Sequence, residues 1–148
     1  MVGSERDSLE REELLKLEIV TPQKSVFSGY VESFSAPGIS GGFQILHDHA
    51  PFLTTITIGE VKFRDADGNE SSYSTSGGFV EVSNNDVTFL ADTAERKDEI
   101  NIERARSAMA RSEERLRKRG EEIDVARARA AFARAINRLK VADVLQKA

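Results

Sequence analysis

The sequence predicts an α+β protein in two parts, an antiparallel β-sandwich or barrel followed by an antiparallel pair of α-helices. Between residues 15 and 91, short extended runs recur at a spacing of roughly 8–12 residues, separated by glycine, proline, asparagine and aspartate. After Asp92 the apolar spacing changes from two residues to three and four, the period of a helix. Residues 1–98 hold 8 basic and 17 acidic side chains, whereas residues 99–148 hold 13 and 8. The two parts therefore carry opposite net charge.

The first part is predicted to contain short strands and no helix of useful length before residue 93. In the first strand, leucine and isoleucine alternate with charged residues from Leu15 to Ile19. Further strands are predicted at residues 25–29, 30–36, 43–46, 53–58, 60–64, 71–75, 79–82 and 87–91. The pair Pro37 and Gly38 is expected to stop the strand before it, because proline cannot donate to a sheet ladder. Residues 65–69 (DADGN) predict a hairpin turn, since Asp-Gly and Asn tolerate positive φ.

The second part predicts two helices joined by a few residues. The face of the first helix comprises Ile102, Ala105, Met109, Ser112 and Leu116. Gly120 is expected to end this helix, and Asp124 to cap the next one. The face of the second comprises Val125, Ala128, Phe132, Ala135, Leu139 and Ala142. The short joint requires an antiparallel hairpin. Its alanine-rich seams bury so little area, at ~25 cal/mol per Å², that we expect it to need a partner surface.

These patterns divide the chain into three segments. We expect a flexible acidic extension over residues 1–13, a β-sandwich domain over residues 14–97 and a helical hairpin domain over residues 98–148. Cysteine is absent, which suits a reducing compartment. No apolar run reaches the length of a membrane span, and the acidic start has no apolar core of a secretory signal.

Several kinds of active site lack the residues that they require. His47 and His49 have no third ligand motif nearby, so a structural role in a loop is favoured over a metal site. Without cysteine or a Gly-x-Ser-x-Gly motif, a nucleophilic hydrolase is not predicted. The glycines between Gly38 and Gly42 lack the Lys-Ser/Thr pair of a phosphate-binding loop. We therefore expect no catalytic residues and no metal.

One stretch of the first part, residues 41–54, combines several residues of restricted or unusual backbone geometry. Gly41 and Gly42 permit positive φ, and Pro51 fixes its own φ and extends the residue before it. Such a stretch predicts a loop of specified shape, and surface loops of specified shape often bind a partner.

Arginines of the hairpin repeat a spacing of seven and then four residues. They are Arg104, Arg111 and Arg115 in the first helix and Arg127, Arg134 and Arg138 in the second. Antiparallel packing can bring the two rows side by side. One interpretation is a solvated flank with i,i+4 partners. The other interpretations are a site for a phosphate-bearing ligand, a surface that docks on an acidic protein, and a surface that binds nucleic acid. The last is disfavoured, because Phe132 is the only aromatic residue of the hairpin and the first part is acidic.

Segments that match in order and spacing carry a family resemblance. They are residues 19–22 (IVTP), 26–29 (VFSG), 37–38 (PG), 43–46 (FQIL), 49–54 (HAPFLT), 77–82 (GGFVEV), 87–92 (VTFLAD), 94–95 (AE) and 135–139 (AINRL). On these segments the chain resembles the ε subunit of bacterial F-type ATP synthase over residues 15–142.

This resemblance implies a β-sandwich of about ten strands and a mobile two-helix domain. It implies a non-catalytic subunit of the central stalk, bound to the γ subunit and the proton-carrying c-subunit ring, and to the catalytic α and β subunits when the hairpin extends. The implied location is peripheral, at the cytoplasmic face of the bacterial inner membrane, without insertion and without nucleic acid. Residues 37–42 and residues 49–54 are implied to share the end that faces the ring. The candidates for contact with the ring or the γ subunit are Gly38, Gly41, Gly42, His47, His49 and Pro51.

In such subunits the hairpin either folds down on the sandwich or extends and blocks ATP hydrolysis, and some relatives bind ATP through a motif Ile-Asp-x-x-Arg-Ala. The corresponding residues 100–105 read INIERA, so Asn101 replaces the aspartate. The implied ATP-contacting positions are Glu95, Asn101, Arg104, Ala105, Arg111, Arg134 and Arg138. Because an amide replaces a carboxylate, we expect ATP binding to be weakened or absent, and no cofactor to be required.

Three hypotheses follow from the resemblance together with the residue patterns. The first is a coupling subunit whose hairpin inhibits ATP hydrolysis. The second is chiefly an ATP sensor. The third is a plain adaptor with a solvated hairpin, for which neither inhibition nor ATP binding is expected.

Overall fold

A computed structural model describes residues 13–118 and 124–146 of the chain. The strands are β1 (Leu15–Val20), β2 (Ser25–Gly38), β3 (Gly41–Leu46), β4 (Phe52–Ile56), β5 (Gly59–Asp65), β6 (Glu70–Thr75), β7 (Gly78–Ser83), β8 (Asp86–Ala91) and β9 (Ala94–Arg96). A 3₁₀ turn (Lys97–Glu99) leads to the helices α1 (Ile102–Arg117) and α2 (Val125–Val141). The fold class that the sequence predicts is confirmed. Gly120 and residues 1–12 of the expected extension lie outside the described ranges.

The strands form one hydrogen-bonded order, β1-β8-β7-β4-β2-β5-β6-β9, and β3 pairs with β2. Because β1 also pairs with β2, the strands β1, β8, β7, β4 and β2 close a circuit. Most neighbours are antiparallel as predicted, but β1 and β8 run parallel. No turn joins these two strands, so the sequence has no local signal for their pairing.

The strand β2 departs from the prediction. Separate strands were expected over residues 25–29 and 30–36, whereas β2 is continuous over 14 residues, so this expectation is wrong. The strand β1 pairs across the expected break at Gly29. The strand continues through Pro37, whose carbonyl oxygen accepts a hydrogen bond from the Thr57 N–H at 2.9 Å, and ends at Gly38, the second residue of the expected stop.

The strand β9 is a second difference, because no strand was predicted after residue 91. Its 3 residues are too few to show the alternation of apolar and polar side chains by which a strand is predicted. It pairs with β6, where Glu95 lies opposite Ser74. This pairing carries Glu95 to the side of the sandwich on which the hairpin rests.

The core of the sandwich follows the predicted alternation of inward-facing residues. Leu15, Leu17 and Ile19 have no exposed surface. Phe34 and Phe89 are likewise fully buried, with ring centroids 6.3 Å apart. Each such side chain stabilises the fold by about 1.5–3 kcal/mol relative to exposure. All members of this core cluster lie before the helices, so the sandwich has a core independent of the hairpin.

The predicted hairpin turn joins β5 to β6. The Asp65 Oδ1 accepts hydrogen bonds from the N–H groups of Asp67 and Asn69, both at 2.9 Å. Gly68 has a φ of 84°, the left-handed conformation that the sequence predicted at this position.

Both helices begin at side-chain caps. The Asp124 carboxylate accepts a hydrogen bond from the Arg127 N–H at 3.1 Å, which confirms the predicted cap of α2. The Asn101 side chain caps α1 in the same way. The predicted boundary between residues 97 and 98 falls within the 3₁₀ turn. Neither helix in the described ranges is long and apolar enough to span a bilayer.

Of the eleven residues predicted for the facing sides of the two helices, five are buried, and Ala142 lies one residue beyond the end of α2. The buried members are Ala105, Ser112, Ala128, Ala135 and Leu139. Ser112 is tolerated there because its Oγ donates to the Ala108 carbonyl oxygen at 2.7 Å. Val125 was predicted on the seam but is 45% exposed, since it occupies the first position of α2, at the end of the hairpin where the chain connects the two helices.

Candidate functional site

The β3–β4 loop holds both histidines and is hydrogen-bonded to Asn85 in the β7–β8 turn. The Asp48 N–H donates to the Asn85 Oδ1 at 2.6 Å, and the Asn85 Nδ2 donates to the Asp48 Oδ1 at 3.2 Å. The His49 Nδ1 lies 2.7 Å from the Ala50 carbonyl oxygen, and its ring meets Phe52 edge-on. The His47 Nδ1 lies 3.4 Å from the Asp48 Oδ2. No group of three potential metal ligands occurs in the described ranges.

The β2–β3 turn is the second loop of predicted contact residues. Gly41 has a φ of 126°, and a Cβ at Gly38 would lie 2.7 Å from the Gly41 carbonyl oxygen. Gly42 lies opposite Pro37 where the two strands meet. The turn presents Ile39, which is 66% exposed.

The two loops lie at opposite ends of β3. The β2–β3 turn precedes Gly41, whereas the loop with His47, His49 and Pro51 follows Leu46. The implication that both loops share one end of the sandwich is therefore wrong. An extended strand separates them, and β4 runs back from the second loop toward Gly38, to which Ile56 is paired.

An exposed apolar face was not singled out from the sequence. It comprises Leu53 on β4, Phe79 on β7 and Leu90 on β8, which are 71%, 55% and 55% exposed. Phe79 pairs with Leu90, and Leu53 pairs with Glu81, two residues along β7, so the three side chains share one side of the sheet. Apolar residues at the solvent-side positions of alternating strands were the available signal. We call this surface the apolar face.

Five of the six arginines in the two rows occupy equivalent positions on the hairpin. Arg104, Arg111, Arg127, Arg134 and Arg138 each come directly before a buried seam residue. In an antiparallel pair, equivalent positions beside the seam fall on the same side of both helices. Arg115, one turn beyond Arg111, extends this row. The structure therefore brings the two rows together on one side, which we call the arginine side.

The arginine side is mostly unpaired. Arg138 is the exception, with its Nε 2.6 Å from the Glu95 Oε1. Within the described ranges no ion pair involves Arg104, Arg111, Arg115, Arg127 or Arg134. The i,i+4 ion pairs of α1 are made instead by Arg117 with Glu113 and by Lys118 with Glu114.

Asn101 and Ala105, two positions of the implied ATP motif, have structural tasks in α1. The Asn101 Oδ1 accepts the hydrogen bond of the Arg104 N–H at 3.0 Å, so this oxygen is already engaged. The Ala105 side chain is buried in the seam and is 1% exposed. Of the remaining implied positions, Glu95 and Arg138 are in contact.

The hairpin rests on the sandwich through polar contacts near the end of α2. The Asn137 Nδ2 donates to the Gly59 carbonyl oxygen at 2.8 Å and to the Ser74 Oγ at 3.0 Å. Lys97 and Asp143 form an ion pair on exposed side chains.

Arg96 forms ion pairs with two acidic side chains of the 3₁₀ turn that connects the two domains. Its Nε donates to the Asp98 Oδ1 at 2.6 Å, and its Nη2 lies 3.3 Å from the Glu99 Oε1. The hydrogen bond from Arg96 holds the pKa of the Asp98 carboxyl below its ordinary value. Burial raises the pKa of Tyr73, a residue of β6 that lies opposite Arg96 of β9.

Comparison with known proteins gives consistent matches over both domains. Residues 14–97 match the family model "ATP synthase, Delta/Epsilon chain, beta-sandwich domain", and residues 98–143 match "ATP synthase, Delta/Epsilon chain, long alpha-helix domain". The chain is 47% identical over 106 residues to the ATP synthase epsilon chain of Geotalea daltonii, covering 72% of this chain and 76% of that one. It is 49% identical over 105 residues to that of Nitratidesulfovibrio vulgaris, with 71% and 78% covered.

Two solved structures share the fold at low sequence identity. A chain of the Euglena gracilis mitochondrial ATP synthase OSCP/F1/c-ring structure matches with a TM-score of 0.68 at 16% identity, covering 89% of this chain and 79% of that one. A chain of the Tetrahymena thermophila mitochondrial ATP synthase central stalk/c-ring structure matches with a TM-score of 0.58 at 15% identity, with 86% and 96% covered.

Proposed function

Because this chain belongs to the epsilon-chain family of bacterial F-type ATP synthases, we propose that it is a non-catalytic subunit of the central stalk. In this role the sandwich joins a γ subunit to the proton-carrying ring, and the hairpin restrains ATP hydrolysis by the catalytic subunits. These partners would hold the chain peripherally at the cytoplasmic face of the bacterial inner membrane.

The sandwich supports the anchoring part of this proposal. Its core is independent of the hairpin, so it can remain rigid while the helices move. The apolar face is the surface that we assign to the γ subunit, because clustered exposed apolar side chains on a small domain favour a protein partner. The β2–β3 turn, with Ile39 exposed, and the β3–β4 loop are candidates for contacts to the ring or to the γ subunit, and because they lie at opposite ends of β3, only one of them can face the ring.

The observation that carries the inhibitory part is the unpaired state of the arginine side. Arg104, Arg111 and Arg134 are exposed and form no ion pair within the described ranges. Their guanidinium groups are therefore free to bind carboxylates of another protein. We propose that an extended hairpin binds acidic patches of the catalytic α and β subunits. The balance between the docked and extended states then follows from the difference in their contacts.

Deleting residues 101–148 is expected to raise ATP hydrolysis by the assembled enzyme about fivefold or more, the lower end of typical coupling between sites. The deletion removes both helices and leaves the core cluster of the sandwich intact. The measurement is steady-state ATPase activity of enzyme reconstituted with the full or the shortened chain.

Proton pumping separates this effect from a loss of assembly. The shortened chain should still support ATP-driven pumping, whereas enzyme that lacks the chain altogether should not. Unchanged hydrolysis with the shortened chain bound would exclude the inhibitory role and favour the plain adaptor.

A second candidate function is ATP sensing, and the contact between Glu95 and Arg138 favours it. These residues occupy two implied ATP-contacting positions and lie 2.6 Å apart, next to Arg134 on the same helix. A cluster of guanidinium groups beside one carboxylate suits a phosphate-bearing ligand. Asn101 weakens this candidate. Its side-chain oxygen already accepts the hydrogen bond of the helix cap, and its side-chain NH₂ group can only donate hydrogen bonds, unlike the second oxygen of an aspartate.

If the chain senses ATP, calorimetry on the full-length protein should detect binding of about millimolar affinity or tighter. Arg134→Ala should then weaken the affinity by about tenfold, since hydrogen bonds to charged groups are stronger than neutral ones. The measurement is titration with ATP in magnesium-containing buffer.

The matched control is Arg129→Ala, which removes the same charge from the same helix. Arg129 is exposed but follows the buried Ala128, so it lies off the arginine side. Asn101→Asp should tighten binding by restoring the carboxylate. Equal affinities for the Arg129 and Arg134 variants, or no heat of binding to any variant, would contradict ATP sensing.

A further inference from the structure

One amide side chain of α2, that of Asn137, makes hydrogen bonds to two strands of the sandwich. Asn137 is half-buried and donates both of its N–H groups, at 2.8 Å to the Gly59 carbonyl oxygen on β5 and at 3.0 Å to the Ser74 Oγ on β6. We propose that Asn137 is a reversible polar latch that holds the hairpin in its docked position. This inference rests on the proposed function for its role in regulation, but its geometry and its test concern the isolated chain.

The two acceptors of the latch are held in place by the sandwich. A Cβ on Gly59 would lie 2.6 Å from the Pro37 ring, so β5 and β2 are in close contact there and the Gly59 carbonyl cannot shift freely. Ser74 is 4% exposed, and it lies opposite Glu60 in the β5–β6 ladder. One side chain therefore contacts two neighbouring strands of fixed spacing, which sets the position of α2 along the sheet.

The latch differs chemically from the seam between the helices. The seam buries alanine and leucine side chains, so separating α1 from α2 exposes apolar surface to water. The latch is polar, and water can replace the Asn137 amide on both acceptors when α2 lifts. The two neighbouring ion pairs, Arg138 with Glu95 and Lys97 with Asp143, join side chains that are already about one third or more exposed. Exposed ion pairs of this kind add little stability.

This difference has a mechanical consequence. Contacts that water can replace are the first to open, because their loss leaves no buried group unsatisfied. The hairpin should therefore leave the sandwich as a closed pair of helices. Asn137 sets how often it does so, and Arg138, the next residue, lies on the arginine side.

The absence of cysteine from the sequence allows a direct test of the latch. Val141 lies one turn after Asn137, on the side of α2 that faces the sandwich, and is 1% exposed. In the full-length chain, a cysteine introduced by Val141→Cys should react slowly with a thiol reagent while α2 is docked. Its reaction rate reports the open fraction when closing is fast relative to labelling.

Asn137→Asp keeps the size of the side chain but replaces the donating amide by an acceptor. It should speed labelling of the Val141→Cys thiol about tenfold, and Ser74→Ala, which removes one acceptor, about threefold. The matched control is Asn84→Asp, which adds the same charge in the exposed β7–β8 turn and should leave the rate unchanged.

A thiol introduced by Ala128→Cys reports opening of the seam instead of undocking. Ala128 is 3% exposed and lies toward the other end of α2 from the latch. Its labelling rate should not change with Asn137→Asp. An unchanged Val141→Cys rate would overturn the latch, and so would equal acceleration at both thiols, which means that the helix pair opens as a whole. Neither result depends on the ATPase measurements, so the latch and the proposed function can fail separately.

Discussion

Replacing Gly78 with alanine is expected to lower the free energy of unfolding of the sandwich by about 4 kcal/mol or more. Gly78 has a φ of 144°, a conformation that L-residues rarely adopt. A Cβ there would lie 2.1 Å from the Leu90 carbonyl oxygen and 2.9 Å from the Ala91 Cα. Both are backbone atoms of β8, so no side-chain rotation can relieve the clash.

The position of β7 in the sheet increases this effect. Gly78 pairs with Ile56 on β4 and with Ala91 on β8, so a shift of the backbone disturbs two ladders together. Urea unfolding followed by circular dichroism measures the change. Gly42→Ala is the control, because the nearest atom to its Cβ, the Ala36 carbonyl oxygen, lies at 3.9 Å. Its unfolding midpoint should stay close to that of the parent, and a Gly78→Ala midpoint equally close would refute the argument.

Replacing Phe79 with glutamate is expected to weaken binding to the γ subunit about hundredfold, the scale of a central interface residue. Phe79 is 55% exposed and lies between Leu53 and Leu90 on the apolar face. A carboxylate at this position would be buried in the complex without a partner. In the free chain it remains in solvent, so folding should be unaffected.

The measurement is equilibrium binding of each variant to an F1 complex that lacks this chain. Leu46→Glu is the matched control, because Leu46 is also 52% exposed but lies on β3, away from the apolar face. If both variants bind as tightly as the parent, the γ subunit does not use the apolar face. If both variants lose binding equally, the added negative charge weakens binding wherever it is placed, and the apolar face has no special role.

The parts of the fold that could be predicted are those with local physical signals. The Asp-Gly turn between β5 and β6 and the Asp124 cap of α2 each depend on residues within four positions of one another. The seam was predictable from its period, except at Val125, where the helix begins and its neighbours are missing on one side.

The parts that could not be predicted depend on pairing between distant segments. The continuity of β2 across Gly29 is imposed by β1, and the parallel contact of β1 with β8 has no connecting turn. The arginine spacing was visible in the sequence, but the polar contact of Asn137 with Gly59 joins residues 78 positions apart. The apolar face likewise emerges only when β4, β7 and β8 are placed side by side.

The short strand β9 has a consequence for solubility. It ends the hydrogen-bonded order of the strands, so it is a sheet edge at which another chain could add a strand. Its 3 residues include Glu95 and Arg96, and such brevity and charge discourage intermolecular pairing. If the hairpin undocks as proposed, the edge that it leaves would therefore offer no template for aggregation.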